Sequence, residues 1–234
     1  MQFCIVLPVH NEEMYILNLI NSLQSFNADI IVVDDGSFDN TANLLKKTNA
    51  IILTLSKNFG KGRALRTAFN YVLQHSYEWV ITMDSDGQHL PQDITLFIEC
   101  AHKLDADIVI GNRMHSLKTM PLIRKFANIS TSKIISFLIG YNIADTQCGF
   151  RLISRKVIEK INLSTSNYET ESEILFQAAL HNFYIKSVPI KTIYTKQKSK
   201  ISPFIDTIRF CRLIYKTFYS NQLRLSISKN QLYK

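Results

Sequence analysis

The chain has 234 residues, of which 46% are hydrophobic and 20% are charged, so it can bury the core of one globular domain. This composition excludes a disordered or fibrous chain. The net charge of +8 is uneven: residues 186–234 carry 11 Lys and Arg against the single acid Asp206, which leaves 16 basic and 18 acidic residues before them. Such a basic segment indicates an anionic partner, whether a diphosphate, a membrane surface or a nucleic acid.

The N-terminal residues form neither a basic leader nor a long apolar segment, so we expect no secretory signal and a cytoplasmic location. No stretch reaches the roughly 18 to 20 apolar residues that a membrane span needs. The four cysteines are scattered without metal-binding spacing, and we expect reduced thiols with no chemical role.

Short runs of β-branched residues alternate with helical patterns along the first half of the chain. The predicted strands are 3–7, 30–34, 51–55, 79–83 and 108–110, and the predicted helices are about 11–25, 40–47, 61–74 and 91–104. This alternation predicts an α/β fold with a mostly parallel central sheet and helices on both faces. Because right-handed crossovers bring the strands' C-terminal ends to one edge, we expect the ligand site there.

The second half of the chain adds to this domain. We predict a helix at about 122–140, a polar turn at 145–149, a strand at 150–153, a helix at 171–181 and a lysine-rich loop at 196–200.

A last helix is predicted from Phe204 to about Tyr219, with Ser202 as N-cap and Pro203 at its first position. One face is apolar with a basic border; it comprises Phe204, Ile208, Cys211, Tyr215, Phe218 and Tyr219, flanked by Arg209 and Lys216. Such a helix either packs on the domain, although Phe210 and Leu213 interrupt its polar side, or lies in the interface of an anionic membrane. We therefore predict one domain at 1–201 and a basic amphipathic tail at 202–234.

The strongest chemical signal is the pair Asp84 and Asp86, directly after the predicted strand 79–83. In an extended backbone, residues two apart project to the same side, so both carboxylates can face one cation. Mg²⁺ or Mn²⁺ typically takes one or two carboxylates and completes its coordination with water and phosphate oxygens. An isolated pair of this kind is more often a solvated acidic turn, but its place at the ligand edge favours a metal site.

Three further polar turns follow predicted strands at the same edge: 8–12, 34–37 and 58–63. Acids at a strand end can accept hydrogen bonds from a base or a ribose hydroxyl, and glycines permit tight turns near a phosphate. The third turn matches neither the phosphate loop of NTPases nor the dinucleotide fingerprint, because Leu65 stands where the last glycine belongs.

Together these turns resemble the family 2 glycosyltransferases with a GT-A fold. The motifs are P-V-H-N-E, D-D-G-S, N-F-G-K-G-R-A and D-S-D-G-Q-H, and the resemblance continues through G-N-R at 111–113, D-T-Q-C-G-F-R at 145–151 and E-T-E at 169–171. It covers about residues 3–210 and is closest to the branch of the dolichyl-phosphate mannose synthases, whose acceptors are polyprenyl phosphates. The Q-x-x-R-W motif of the processive polysaccharide synthases is absent, which argues against polymer synthesis.

The resemblance implies roles for individual residues. The donor-binding residues would be Pro8, Val9, Glu12, Asp34, Asp35, Lys61, Asp84 and Ser85. The metal and the donor diphosphate would be held by Asp84, Asp86 and Gln88. The catalytic residues would be Asp86, Arg113, Arg124, Asp145 and Lys200.

Arg113 and Arg124 would receive the acceptor phosphate, because a guanidinium matches phosphate oxygens with two parallel hydrogen bonds. The segment Lys198-Ser199-Lys200 resembles a loop that closes over the diphosphate in the family, with Lys196 or Lys198 as the closing lysine. It departs from the family pattern, because the Gly and Arg that usually precede its Ser-Lys are missing here.

The function so implied is metal-dependent, inverting transfer of a sugar from a GDP- or UDP-sugar to a dolichyl or undecaprenyl phosphate. The enzyme would work as a peripheral protein on the cytosolic face of a membrane, recruited by the lipid surface or by a membrane-anchored partner. An ionised phosphate attacks without a general base. A hydroxyl acceptor would need a carboxylate within about 3 Å, and Asp145, Glu169 and Glu171 are the candidates, whose structural alternatives are bonding Arg151 or capping the 171–181 helix.

Two alternatives stay open: a soluble glycosyltransferase with a hydroxyl acceptor, and a non-catalytic module that binds a nucleotide sugar or an anionic lipid. The acidic pair disfavours the second, since a mere binder needs no metal pair. We expect no nucleic-acid partner, because the sequence has no zinc, RRM or helix-turn-helix signature.

Overall fold

The structure is a computed structural model, and it describes residues 1–114, 122–193 and 203–219, without the side chains of 122–124, 203–204 and 218–219. The predicted loop lysines Lys196, Lys198 and Lys200 and the predicted N-cap Ser202 lie outside the described residues, as does the side chain of Arg124.

Seven strands form one sheet in the order β3-β2-β1-β4-β6-β5-β7. Their bounds are β1 Phe3–Val9, β2 Asp29–Asp34, β3 Ile51–Thr54, β4 Trp79–Thr82, β5 Ile108–Asn112, β6 Arg151–Ser154 and β7 Ile185–Pro189. All neighbouring strands pair in parallel except that β6 is antiparallel to both β4 and β5. The predicted α/β fold with a mostly parallel sheet is confirmed.

Helices connect the strands. Their bounds are α1 Ile16–Leu23, α2 Thr41–Leu45, α3 Lys61–Leu73, α4 Ile94–Leu104, α5 Leu122–Ile139, α6 Arg155–Lys160, α7 Thr170–Leu180 and α8 Pro203–Tyr219. The helix predicted at 11–25 begins later, at Ile16. Asn11 is in the left-handed region (φ 54°), and its side chain accepts a hydrogen bond from the Phe38 N–H, so this stretch forms a loop tied to the turn after β2.

Two elements were not predicted. β7 is an edge strand of the sequence I-K-S-V-P that exposes Ser187 and ends at Pro189, so it lacks the alternation of a half-buried strand. α6 has six residues directly after β6, which is too short for a helical period to emerge from the sequence.

The core fills both faces of the sheet, and its centre is β1, where residues 4–7 are fully buried. On one face the rings of Phe97 from α4 and Phe150 stack with centroids 4.3 Å apart. All four cysteines are free thiols, as predicted.

α8 packs against α7, and it does so through the side that the sequence pattern makes polar. Leu213 is only 5% exposed, and Phe210 and Ile214 pack beside it against the core. The residues of the predicted apolar face whose side chains are described stay outside, with Ile208 54% and Tyr215 66% exposed. The two residues that interrupt the polar side are thus the ones that dock the helix. In the described part of the chain, no helix combines the length and apolar character of a membrane span.

Candidate active site

The polar turns after β1, β2 and β4 meet at the C-terminal edge of the sheet. The N–H of Asp35 donates to the carbonyl of Val9 (2.8 Å), and the hydroxyl of Ser85 donates to the carbonyl of Pro8 (2.9 Å). The structure therefore brings these predicted donor-binding residues together.

The carboxylates of Asp34 and Asp35 accept hydrogen bonds from backbone N–H groups of neighbouring turns. The two oxygens of Asp35 accept hydrogen bonds from the N–H groups of Phe59 and Gly60, each at 2.8 Å, and Asp34 accepts from the N–H of Ser37 at 2.9 Å. Both acids are buried. They shape the turns at this edge, and their contact with a donor stays a prediction.

Glu12 is buried at the end of β1. Its N–H donates to the hydroxyl of Thr41 at 2.9 Å, and its carbonyl accepts from the N–H groups of Tyr15 and Ile16, each at 3.0 Å. Glu12 thus starts α1 and ties it to the first residue of α2, beside the predicted nucleoside pocket.

Lys61, the first residue of α3, lies between two carboxylates. Its ammonium contacts Asp84 Oδ1 and lies 2.6 Å from Glu171 Oε1. Burial alone would lower the pKa of Lys61, but the charges of Asp84 and Glu171 raise it above its ordinary value. Burial likewise acts to raise the pKa of Asp84, and the neighbouring Lys61 charge holds it well below the usual range. The sequence assigns Lys61 to the donor, whereas here its partners are the acidic residues of the site.

The pKa of Asp86, the second acid of the pair, is shifted in the opposite direction from that of Asp84. Burial and the negative charge of Asp84 raise the pKa of Asp86 above its ordinary value. Its Oδ1 accepts one hydrogen bond, from the N–H of Gln88 at 3.0 Å. The two adjacent carboxylates repel each other, and Asp86 has few contacts that offset this repulsion. A bound cation would stabilise such an arrangement.

His89 ends the motif D-S-D-G-Q-H and lies beside Asp84, although the resemblance implies no role for it. Its buried ring packs against Phe150, and Nε2 lies 3.4 Å from Asp84 Oδ2. Its backbone forms a bridge with Thr192, and the N–H of Ile193 donates to the carbonyl of Gln88. The acidic motif is therefore fastened to the segment that leads into residues 194–200.

Gly149 approaches Lys61 and Asp84 so closely that a side chain at this position would displace them. A Cβ built on it would lie 2.5 Å from Lys61 Nζ and 2.6 Å from Asp84 Oδ1. The sequence signal was present in D-T-Q-C-G-F-R, but only the structure gives the reason for the glycine, which is the close approach of its backbone.

Arg113 and Asp145 form a buried, two-point ion pair. Arg113 Nε and Nη2 donate to the two oxygens of Asp145 at 2.6 and 2.9 Å, and the Arg113 N–H also donates to Oδ2 at 3.2 Å. Asp145 is fully buried. Since both of its oxygens are engaged and closed off from water, this geometry disfavours Asp145 as a general base. Its predicted alternative, bonding Arg151, is wrong.

Arg151 instead binds three backbone carbonyls. It is 1% exposed and donates to the carbonyls of Cys148, Thr146 and Glu171, each at 2.8 Å. This arginine fixes the turn that carries Asp145 and Gly149 to the first turn of α7.

We expect Arg151→Met to lower the free energy of unfolding by about 3 kcal/mol or more, because it leaves three buried carbonyls without donors. Denaturant unfolding measures this loss. Arg155→Met is the matched control: Arg155 also donates to carbonyls, at the end of α3, but its side chain is 31% exposed and water can replace it there. Equal losses in the two variants would contradict the role given to Arg151.

Two further acids lie at the N-terminal end of α7. Glu169 holds the N-cap position, but its side chain makes no capping bond, so its predicted capping role is wrong. Glu173, for which no role was predicted, accepts hydrogen bonds from the N–H and hydroxyl groups of Ser164 and Thr165, at 2.6 to 3.0 Å. Ser166 is the next residue of the same loop, and its carbonyl accepts a hydrogen bond from the N–H of Gly62. Glu173 therefore helps to hold the first turn of α3.

Comparisons with known proteins agree with this geometry. The sequence model described as "Glycosyl transferase family 2" matches residues 4–162, more than half of the chain. The UDP-N-acetylglucosamine--dolichyl-phosphate N-acetylglucosaminyltransferase of Methanococcus voltae is 34% identical over 215 residues, which cover 82% of this chain and 86% of that protein. The dolichyl-phosphate hexose transferase of Haloferax volcanii is 28% identical over 225 residues, covering 94% and 96%.

Among solved structures, glucosyl-3-phosphoglycerate synthase from Mycobacterium tuberculosis in complex with Mn²⁺, uridine diphosphate and phosphoglyceric acid superposes with a TM-score of 0.71. It covers 94% of this chain and 78% of that one at 17% identity, so this likeness concerns the fold. Fold and sequence together define a glycosyltransferase with the GT-A fold. The chain belongs to the family 2 glycosyltransferases, in the dolichyl- and polyprenyl-phosphate glycosyltransferase branch.

Proposed function

We propose that this enzyme transfers a sugar from a nucleotide-sugar donor to a polyprenyl phosphate, with the help of Mg²⁺ or Mn²⁺ and with inversion at the anomeric carbon. One observation carries the proposal: the turn 145–149 contacts Arg113 through Asp145 and the Asp84–Lys61 pair through Gly149. The acids that would hold a cation and the guanidinium that would hold a phosphate are therefore linked by one turn. The name of the Methanococcus voltae relative favours a UDP-sugar as the first donor to test, with GDP-sugars next.

Asp84 and Asp86 would hold the divalent cation, with Gln88 beside them. Among the described residues no three His, Cys, Asp or Glu side chains form a metal cluster. The two carboxylates fit a cation that takes its other ligands from water and the donor's phosphates, as Mg²⁺ commonly does. The raised pKa of Asp86 supports this, because a cation would relieve the repulsion from Asp84. When bound, the cation would stabilise the charge that develops on the departing diphosphate.

Arg113 would hold the acceptor phosphate. Asp145 engages its Nε and Nη2 atoms, and Nη1 makes no hydrogen bond within the described residues. The ion pair keeps the guanidinium oriented, so little conformational entropy is lost when a phosphate oxygen binds. A phosphate that is already ionised attacks the anomeric carbon from the side opposite the leaving group, which inverts the configuration and needs no carboxylate base. Arg124 would add a second cation.

A lipid acceptor requires that part of the enzyme's surface contacts the membrane. We propose that α5 and α8 form this surface. Both helices pack on α7. α5 leaves Phe126 76% and Phe137 82% exposed, and α8 leaves Ile208 and Tyr215 exposed beside the exposed Arg212. Apolar residues bordered by basic ones suit the interface of an anionic bilayer. In this proposal 1–201 is the catalytic domain, and 202–234 contributes to the membrane surface.

We expect the double substitution Phe126→Ser and Phe137→Ser to reduce flotation with anionic liposomes, because it removes most of the apolar area of α5 that would enter the bilayer. Phe38→Ser is the matched control, since Phe38 is 86% exposed but lies at the turn after β2. High salt should release part of the wild-type protein. If the double variant floats as well as the wild type, α5 is not part of the membrane surface.

The proposed reaction is tested with the purified protein, Mn²⁺, a panel of UDP- and GDP-sugars, and either a polyprenyl phosphate or soluble hydroxyl compounds as acceptors. We expect nucleoside diphosphate release only when the lipid phosphate is present. Release with a hydroxyl acceptor instead would favour the soluble glycosyltransferase, and donor binding without any transfer would favour the binding module.

A further inference from the structure

The ammonium of Lys61 occupies one oxygen of Asp84, the carboxylate that would share a divalent cation with Asp86. It contacts Asp84 Oδ1 and lies 2.6 Å from Glu171 Oε1, and its side chain is 16% exposed. One carboxylate oxygen cannot hold an ammonium and a divalent cation at the same distance and direction. A cation that binds through this oxygen of Asp84 must therefore move Lys61.

Glu171 can keep the Lys61 ammonium paired after that ammonium leaves Asp84. Its side chain is 4% exposed, and apart from the Lys61 ammonium neither of its oxygens has a hydrogen-bond donor within the described residues. A buried carboxylate without hydrogen bonds is costly unless it is paired with a cation. The ion pair with Lys61 is thus what offsets the burial of Glu171.

The backbones on both sides of this ion pair are fixed. α3 is held at its first turn by the bond from Gly62 N–H to the Ser166 carbonyl (2.8 Å), and α7 is held by Arg151 through the Glu171 carbonyl. The long side chain of Lys61 can therefore leave Asp84 and remain beside Glu171 while the two helices stay in place.

We propose that Lys61 is a resident counter-ion of the acidic site, which the divalent cation displaces from Asp84, and that Glu171 is the positioning residue that retains the ammonium beside the site. This inference rests on the proposed function, because it assumes that Asp84 binds the cation. The exchange is non-covalent: Lys61 stays protonated, one cation replaces another at Asp84, and no proton is released.

The test is the affinity for Mn²⁺ alone, measured without donor by electron paramagnetic resonance of free Mn²⁺. We expect Lys61→Met to bind Mn²⁺ about tenfold more tightly, because a competing charge at this depth is removed. Glu171→Gln should bind about tenfold more weakly, because Lys61 then pairs with Asp84 alone and a negative charge is lost. A merely structural role for Lys61 would weaken binding in both variants.

Arg63→Met is the matched control. Arg63 is an exposed cation in the same turn of α3 that contacts neither carboxylate, so its removal should leave the Mn²⁺ affinity close to that of the wild type. An increase equal to that of Lys61→Met would mean that general charge, and not displacement, sets the affinity, and would overturn the inference.

Asp84→Asn separates this inference from the proposed function. If Asp84→Asn leaves Mn²⁺ binding unchanged, the proposed metal site fails. If it weakens binding while Lys61→Met does not tighten it, only the displacement of Lys61 fails. Should Lys61→Met not fold, the comparison of Glu171→Gln with the double variant Lys61→Met, Glu171→Gln replaces it, and the double variant should bind about tenfold more tightly.

Discussion

Asp86→Asn is expected to lower turnover by about 1000-fold while leaving the fold intact. The substitution keeps the shape of the side chain and removes the charge through which Asp86 would hold the cation, and a metal ion contributes several kcal/mol to such a reaction. Steady-state assays at saturating donor and acceptor measure the loss. Asp93→Asn is the control, because burial also raises the pKa of Asp93, which lies outside the acidic pair.

The stability of Asp86→Asn should be equal to or above that of the wild type at pH 7. Because the pKa of Asp86 is raised in the folded protein, the folded state binds its proton more tightly than the unfolded state does. Its ionisation therefore costs stability as the pH rises from the unfolded pKa through the folded one, and the full cost is present above both. Asparagine carries no such cost. Thermal unfolding at pH 7 and at acid pH should show the difference shrinking at low pH, and a large loss of stability at pH 7 would contradict this account.

Gly149→Ala is expected to lower kcat by about 100-fold, since a displacement of about 1 Å at a reacting centre has effects of this size. The added methyl group would lie 2.5 Å from Lys61 Nζ and 2.6 Å from Asp84 Oδ1, so both charged groups must move. The backbone of Gly149 has no positive φ, so the effect comes from contact at the site.

Gly111→Ala is the control for this prediction. A methyl group there would meet the side-chain ends of Ile190 and Cys148, which are apolar and outside the acidic pair. We expect it to lower the melting temperature more than kcat, with the reverse order for Gly149→Ala. Comparable kcat values in the two variants would mean that the close approach of Gly149 has no part in catalysis.

The fold was predictable because its signals are local. Each of the five strand predictions in the first half coincides with an observed strand to within two residues, since continuous β-branched runs mark buried parallel strands. β7 and α6 were missed because an exposed edge strand and a six-residue helix carry little periodicity. The sequence left open whether α8 packs on the domain, and its docking side was not evident from the pattern, because Leu213 is buried and Phe210 partly buried where α8 packs against α7.

The site was predictable as a set of motifs but not as a set of contacts. The strand-end positions of Asp34 and Asp84 follow from topology. Lys61 pairs with Asp84 23 residues away, Arg113 with Asp145 32 residues away, and Arg151 reaches the Glu171 carbonyl 20 residues away; such pairing leaves no trace in a single sequence. For the same reason Asp145 was predicted as a candidate base from its residue type and its place in the polar turn, although in the structure both of its oxygens accept hydrogen bonds from Arg113.

Transfer to a lipid phosphate is tested most directly by the product formed from a labelled nucleotide sugar and a polyprenyl phosphate. We expect a glycosyl phosphate lipid by mass spectrometry, with the anomeric configuration opposite to that of the donor by NMR, formed with Mn²⁺ and not in EDTA. A product with the donor's configuration, a sugar attached to a hydroxyl group, or an undiminished rate in EDTA would contradict it.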